Sequence, residues 1–298
     1  MRDWKRLLDE RRLLLADGAW GTELARRGLP AGEAPEKWNL ENPDPVRAVA
    51  ADYVAAGSDI VLTNTFGGSR MKLSKVGLAD SVAEVNRIGA QLSREAAGDD
   101  VLVFASVGPT GEFMAPLGTA SEDDMVACFA EQVAALAEGG ADAVLIETMT
   151  DLGEAGAALK AVREACDLPA VVSMTFDKGA RGYATMMGVR PEQAAEQLEA
   201  AGADAVGANC GSGIEDIVEV IRAMHGATGL PLWAKPNAGL PELVAGETVF
   251  RQTPEQMAAR LGDLLEAGAR IAGGCCGTTP DHIRAIARAR DELLGAAE

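Results

Sequence analysis

Four segments of this chain repeat one design: "AAGSDIVLTN" ending at Asn64, "EGGADAVLIE" ending at Glu147, "AAGADAVGAN" ending at Asn209 and "EAGARIAGGC" ending at Cys275. Each reads as a helix closed by a glycine in the left-handed cap conformation, two connecting residues, then an apolar strand. Seven residues past Gly57, Gly140, Gly202 and Gly268 stand Asn64, Glu147, Asn209 and Cys275. A recurring helix-to-strand unit that always delivers a polar or thiol residue at the strand end restricts the fold to an alternating α/β class.

Other strand-like runs fall between these four. They are "LLLADG" from Leu13, "VLVFASVGP" from Val101, "AVVSMTF" from Ala170 and "PLWAKPN" from Pro231, which brings the total to eight. All are continuously apolar, as strands covered on both faces are. Helix starts are marked between them. Asp44-Pro45, Thr253-Pro254 and Thr279-Pro280 each set an N-cap residue before a proline. Thr253 with Gln256 fits a capping box, and Ser121 is followed by "EDD". Eight βα units with an echo on alternate strands predict a (β/α)8 TIM-type barrel, one domain over residues 1–298. A doubly wound open sheet, which also alternates strands and helices, is the competing architecture.

Charge and cysteine usage narrow the function. The net charge is −18, and a strongly acidic surface repels phosphate backbones and anionic lipid, so neither nucleic acid nor membrane is an expected partner. No apolar run reaches the roughly 18 residues of a spanning helix. The first residues, "MRDWKRLLDERRLLLADGAW", are charged throughout and lack a signal-peptide core. Five cysteines are an odd number without disulfide-framework spacing. A cytoplasmic, reducing location follows as the expectation, where clustered cysteines serve metal binding or catalysis.

At the ends of the predicted strands stand Asp17 and Gly18, Thr63, Asn64 and Thr65, Glu147, Asn209 and Cys210, Lys235 and Asn237, and the pair Cys275 and Cys276. Active sites of barrels sit at this end. Cys128 and Cys166 fall inside helical patterns and read as buried small hydrophobes. Three thiolates converging at a barrel mouth suit zinc with one position open. A glycine-rich turn with incidental thiols is the plainer alternative. Adjacent cysteines reach one ion only if the backbone leaves the pleat, and Gly273, Gly274 and Gly277 permit such a turn. A three-thiolate zinc centre is a weak Lewis acid but can deprotonate a fourth thiol and keep it nucleophilic. Asp17 and Glu147 suit a substrate ammonium. The N–H of Gly18 and the hydroxyls of Thr63 or Thr65 suit a carboxylate. Lys235 invites a rival reading as a Schiff-base lysine of a lyase, beside its reading as an ion-paired residue. A module that binds a thiol amino acid without turnover is a third reading. His225 and His282 read as surface residues, and Met186 and Met187 as core.

The motifs "DGAWGTEL" from Asp17, "AGSDIVLTNTF" from Ala56, "GPTGE" from Gly108 and "GGADAVLIETMTD" from Gly139 continue with "GANCG" from Gly207, "KPNAGLP" from Lys235 and "GGCCGTTPDHI" from Gly273. In this order the chain resembles the homocysteine S-methyltransferases, most of all the homocysteine-binding module of the cobalamin-dependent methionine synthases. The resemblance implies a (β/α)8 barrel with zinc on Cys210, Cys275 and Cys276, and homocysteine thiolate as the fourth ligand that attacks a donor methyl group. It implies that Asp17 and Glu147 bind the amino group and that Asn237 is the oxygen ligand of the open position. No cobalamin-binding or folate-binding segment follows the barrel in this sequence, so methylcobalamin or a methylated corrinoid protein acting in trans is the expected donor. Betaine-using relatives carry a C-terminal dimerisation arm, absent here, and an aromatic residue where Thr148 follows Glu147. S-methylmethionine and S-adenosylmethionine remain alternative donors.

Overall fold

The apolar runs pair side by side in chain order. They form β1 (Leu14–Leu15), β2 (Ile60–Leu62), β3 (Leu102–Val107), β4 (Ala143–Met149), β5 (Ala170–Met174), β6 (Ala205–Cys210), β7 (Leu232–Pro236) and β8 (Ala269–Ala272). The structure, a computed structural model, describes residues 4–211, 213–244 and 247–295, so both ends of the predicted 1–298 span lie outside the described residues. Every neighbouring pair is parallel, in the order β1-β8-β7-β6-β5-β4-β3-β2. A parallel bridge between Ala16 and Ile60 joins the two ends of that order. The sheet therefore closes on itself, which decides for the barrel and against the open sheet. Helices follow the strands on the outside, among them Val82–Ala97, Glu122–Glu138, Leu152–Ala165 and Pro280–Gly295.

Side chains alternate in and out along each strand. The inward set includes Leu14, Ile60, Leu62, Leu102, Phe104, Leu145, Val171, Trp233 and Ile271, which pack as one buried cluster. Trp4 and Leu8 of the N-terminal helix Trp4–Arg11 join that cluster and plug the barrel from below. Trp4 meets Phe104 edge-on at 6.1 Å and Phe104 stacks on Trp233 at 5.9 Å, so the barrel centre is a solid aromatic column. Continuing the alternation two residues upward turns the inward positions polar: Asn64, Ser106, Glu147, Ser173, Asn209 and Lys235. The apolar floor and the polar mouth are thus one periodic pattern read in sequence.

The echo has a second function at the opposite end. Two residues after three of the cap glycines stand Asp59, Asp142 and Asp204. Each accepts the backbone N–H of a neighbouring strand: Leu15 at 2.8 Å, Val103 at 2.9 Å and Ala170 at 2.8 Å. Each also pairs with arginine: Asp59 with Arg11 and Arg290, Asp142 with Arg94, Asp204 with Arg163. These aspartates latch even strands to odd ones at the barrel base. In the fourth repeat the position is Arg270, which instead donates to the carbonyls of Arg12 and Leu8 in the plug.

Several local expectations change. Both capping boxes form, Ser121 with Asp124 and Thr253 with Gln256. Asp44 is not an N-cap, because Pro43 already starts the helix Pro43–Ala55 and Asn42 precedes it. Cys166 is not inside a helix but ends Leu152–Ala165 in extended conformation, half-buried. Two short antiparallel hairpins, Asp177–Gly179 with Gly182–Ala184 and Glu242–Val244 with Glu247–Val249, rise from the connections after β5 and β7. No helix among the described residues is long and apolar enough to cross a membrane.

Candidate active site at the barrel mouth

Cys210 ends β6, and Cys275 and Cys276 follow β8. Their three sulfurs lie within 4.8 Å of one another. Cys210 Sγ is 2.9 Å from Cys275 Sγ and 3.9 Å from Cys276 Sγ. Ligands at about 2.3 Å on a tetrahedral zinc stand about 3.8 Å apart, so a small ion fits among them with slight spreading. Hydrogen bonds from Cys210 and Cys275 hold the Cys276 thiol well below its usual range, and the Cys210 thiol, as donor, is pushed up.

The backbone freedom that aims these sulfurs is not where the glycines suggested. Gly273 and Gly274 keep ordinary φ; they are needed for close approach, since a Cβ on Gly274 would stand 2.5 Å from Thr278 Oγ1. Only Gly277 of that trio is left-handed, and Cys210 itself takes φ +58° with Gly211 beside it at +62°. A non-glycine residue there is strained, and the strain turns the Cys210 thiol back over the barrel. The paired cysteines are pinned by backbone bonds that bracket Asn237: Cys275 N–H to Pro236 O at 2.7 Å, and Ala238 N–H to Cys276 O at 2.9 Å. Asn237 Nδ2 donates to Gly211 O at 2.7 Å. Its Oδ1 is buried without a partner among the described residues. A buried unpartnered amide oxygen on the segment that both cysteines bracket is a polar atom in want of a donor or a cation.

Glu147, Lys235 and Asp17 form a charged row beside the sulfurs. Asp17 is fully buried and its oxygens are engaged: Oδ1 by Lys235 Nζ at 2.6 Å, Oδ2 by Trp20 Nε1 at 2.8 Å and Leu62 N–H at 2.7 Å. It sits directly behind Lys235, and its Oδ1 carries a single hydrogen bond, so a carboxylate with about four acceptor sites keeps capacity for a further donor. Burial pulls the Lys235 pKa down, but Asp17 and Glu147 outweigh it and the net shift is up. Lys235 stays an ammonium, which removes the neutral amine that imine formation requires. Burial pushes the Glu147 carboxyl up to about 7, with Cys275 and Asp17 adding to the shift while Lys235 and the Ser106 hydroxyl at 2.5 Å oppose it.

A cavity of about 500 Å³ opens above this row. Gly18, Thr65, Glu147, Lys235, Cys210, Cys275 and Cys276 line it; Trp20, Pro35, Glu36 and Phe66 form its outer wall. Thr65 Oγ1 donates to Ser106 O, and Thr63 Oγ1 lies 2.5 Å from Thr65 Oγ1 while accepting from Ser106 N–H. The two hydroxyls are thus tied to each other and to Ser106, and both threonines line the cavity. The backbone N–H groups of Gly18 and Thr65 have no partner among the described residues. Residues with no assigned part in the sequence reading also meet here. Ser106, Trp20 and Ser173 orient Glu147, Asp17 and Asn209 respectively. Alternation along β3 and β5 was the available signal for the two serines. His282 is buried, not on the surface, and bonds Gln252 O at 3.0 Å; Met186 is exposed, not core. His225 is exposed as expected.

Known proteins are similar to this chain in sequence and fold. The profile of the family described as homocysteine S-methyltransferase matches residues 14–290. The chain is 32% identical over 296 residues to a methionine synthase of Mycobacterium leprae, and 31% identical over 304 residues to one of Mycobacterium tuberculosis. These alignments cover 93% and 95% of this chain but only 24% and 25% of those proteins. Among solved structures, the metallated form of the homocysteine methyltransferase MmuM from Escherichia coli superposes with a TM-score of 0.81 at 28% identity, covering 95% of this chain and 98% of that one. By the length of the family match and by fold, the chain belongs to the homocysteine S-methyltransferase family.

Proposed function

We propose that this chain transfers a methyl group to the thiol of homocysteine, giving methionine, on a zinc ion held by Cys210, Cys275 and Cys276. The observation that carries the reading is the three-sulfur cluster at the mouth of the barrel; the unpartnered Asn237 Oδ1, on the segment that the backbone of Cys275 and Cys276 brackets, supports it. An all-thiolate donor set is soft and selects zinc over harder cations. When bound, zinc supplies the charge that deprotonates the incoming thiol and keeps its sulfur nucleophilic near neutral pH. The protein's own residues then fix the amino acid. Glu147 takes the ammonium, the free N–H groups of Gly18 and Thr65 take the carboxylate, and Lys235 with Asp17 behind it sets the field at the floor. Asn237 Oδ1, which has no partner of its own, would be an additional oxygen donor to a bound zinc in the absence of substrate.

The donor that fits best is methylcobalamin or a methylated corrinoid protein. The homocysteine sulfur attacks the methyl carbon and forms the S–C bond, the Co–C bond breaks with both its electrons left on cobalt as Co(I), and the thiol proton leaves to solvent. An apolar collar around the mouth supports a large donor: Phe66, Phe113, Leu117, Met186, Leu240 and Leu243 are all exposed and all stand on connections at this end of the barrel. Exposed large apolar side chains gathered on the connections at one end of a fold suit a surface that another molecule covers.

The test is a donor panel with homocysteine, scored for methionine, on zinc-loaded reduced protein. Methylcobalamin or a methylated corrinoid protein should give methionine, and Cys276→Ala should lose both metal and turnover. Turnover with S-methylmethionine alone would move the donor to the sulfonium class. Protein that holds no zinc under metal-replete, reducing conditions would sink the reading.

A further inference from the structure

Asn209 is fully buried, and its amide makes a hydrogen bond at each position it has. Oδ1 accepts from the Thr148 N–H at 2.9 Å and from the Ser173 hydroxyl at 2.6 Å. Nδ2 donates to Thr148 Oγ1 at 2.7 Å and to Cys275 Sγ at 3.9 Å. A backbone N–H can only donate, so Oδ1 must face Thr148 and the amide has a single orientation. The NH₂ end is therefore the end that meets the sulfur.

Thr148 needs holding. It sits at φ +62°, where a β-branched residue is an outlier. The β4–β5 register slips at this point, Ile146 facing Val172 and Met149 facing Met174. Glu147 and Thr148 thus form a bulge, and bulges re-aim side chains near active sites. One amide grips the N–H and the hydroxyl of the same strained residue, next to the carboxylate that lines the cavity.

We propose that Asn209 is a positioning residue that joins the two halves of the site. It sets the Glu147 carboxylate by locking Thr148, and it steadies Cys275 through an N–H···S bond that strengthens when the sulfur is a metal-bound thiolate. The inference rests on the metal–thiolate reading above.

Full-length Asn209→Ala, Asn209→Asp and the double variant Asn209→Ala with Thr148→Gly test it. Zinc affinity is read by competition with a chromophoric chelator, the sulfur-to-metal band in cobalt-substituted protein, and KM apart from kcat for homocysteine. Asn209→Ala should weaken zinc about 10- to 100-fold and raise KM. Asn209→Asp keeps the acceptor for Thr148 but has no donor for the sulfur; it should lose zinc affinity and shift the cobalt band while KM stays near wild type. Adding Thr148→Gly to Asn209→Ala should restore KM without restoring zinc affinity, because glycine takes positive φ freely. Wild-type zinc affinity and KM in Asn209→Ala would overturn the proposal, as would a glycine variant that leaves KM raised. Wild-type protein that binds zinc but does not methylate homocysteine would instead count against the function reading, and the metal measurements would still decide the Cys275 half.

Discussion

Glu147 is buried among Lys235, Asp17, Cys275 and Ser106, and burial moves its carboxyl from 4.5 to about 7. The folded chain therefore binds this proton more tightly than the unfolded chain. Stability is lost as pH rises from about 4.5 towards about 7 and is level above that. Replacement by glutamine keeps a partner for Ser106 and removes the ionisation. In metal-free, reduced protein, Glu147→Gln should match wild type near pH 4.5 and exceed it by about 3 kcal/mol at pH 8. Urea titrations at several pH values read this directly; a difference that does not change with pH would refute the assignment. The same residue scale shows what was not legible about Asp17. Its position after β1 was, but its Lys235 partner lies 218 residues away, and only closure of the barrel reveals that ion pair.

Among the elements, the base latches are the structural counterpart of the mouth. Asp142 satisfies the buried N–H of Val103 and pairs with Arg94, which also binds the carbonyls of Gly140, Gly98 and Val101. Arg94 therefore keeps partners if Asp142 is removed, while Val103 N–H does not. Asp142→Ala should cost about 2 kcal/mol in urea unfolding. Lys75→Ala, which breaks an exposed pair with Glu112, should change stability by less than ~0.5 kcal/mol. Equal costs would show that the latch adds nothing beyond a surface ion pair. Cap chemistry was legible at this scale wherever a side chain acts on its own turn, as at Ser121 and Thr253. It failed at Asp44, because two prolines compete to begin one helix and the first, Pro43, prevails.

For the whole molecule, a net charge of −18 surrounds a mouth ringed by apolar side chains. If a corrinoid protein covers that ring, replacing Leu240 and Leu243 by aspartate should lower kcat/KM with the methylated protein about tenfold or more. Turnover of free methylcobalamin should stay near wild type, because neither leucine lines the cavity. Equal loss with both donors, or none with either, would remove the collar from donor binding. The barrel itself was legible in the chain because its determinants are local and periodic: cap glycines, apolar runs and the polar residue seven places on. So was the three-cysteine cluster, since strand ends in a barrel share one rim. What the sequence could not show depends on contacts across that rim. A left-handed residue sits at Cys210 as well as at Gly277 of the glycine-rich segment. The hydroxyls of Thr63 and Thr65 bond each other and Ser106, and Asn209 reaches from β6 to both Thr148 and Cys275. Local sequence sets which residues arrive at the mouth; only the closed barrel decides which of them remain free to meet a substrate, because hydrogen-bond partners there come from strands far apart in the chain.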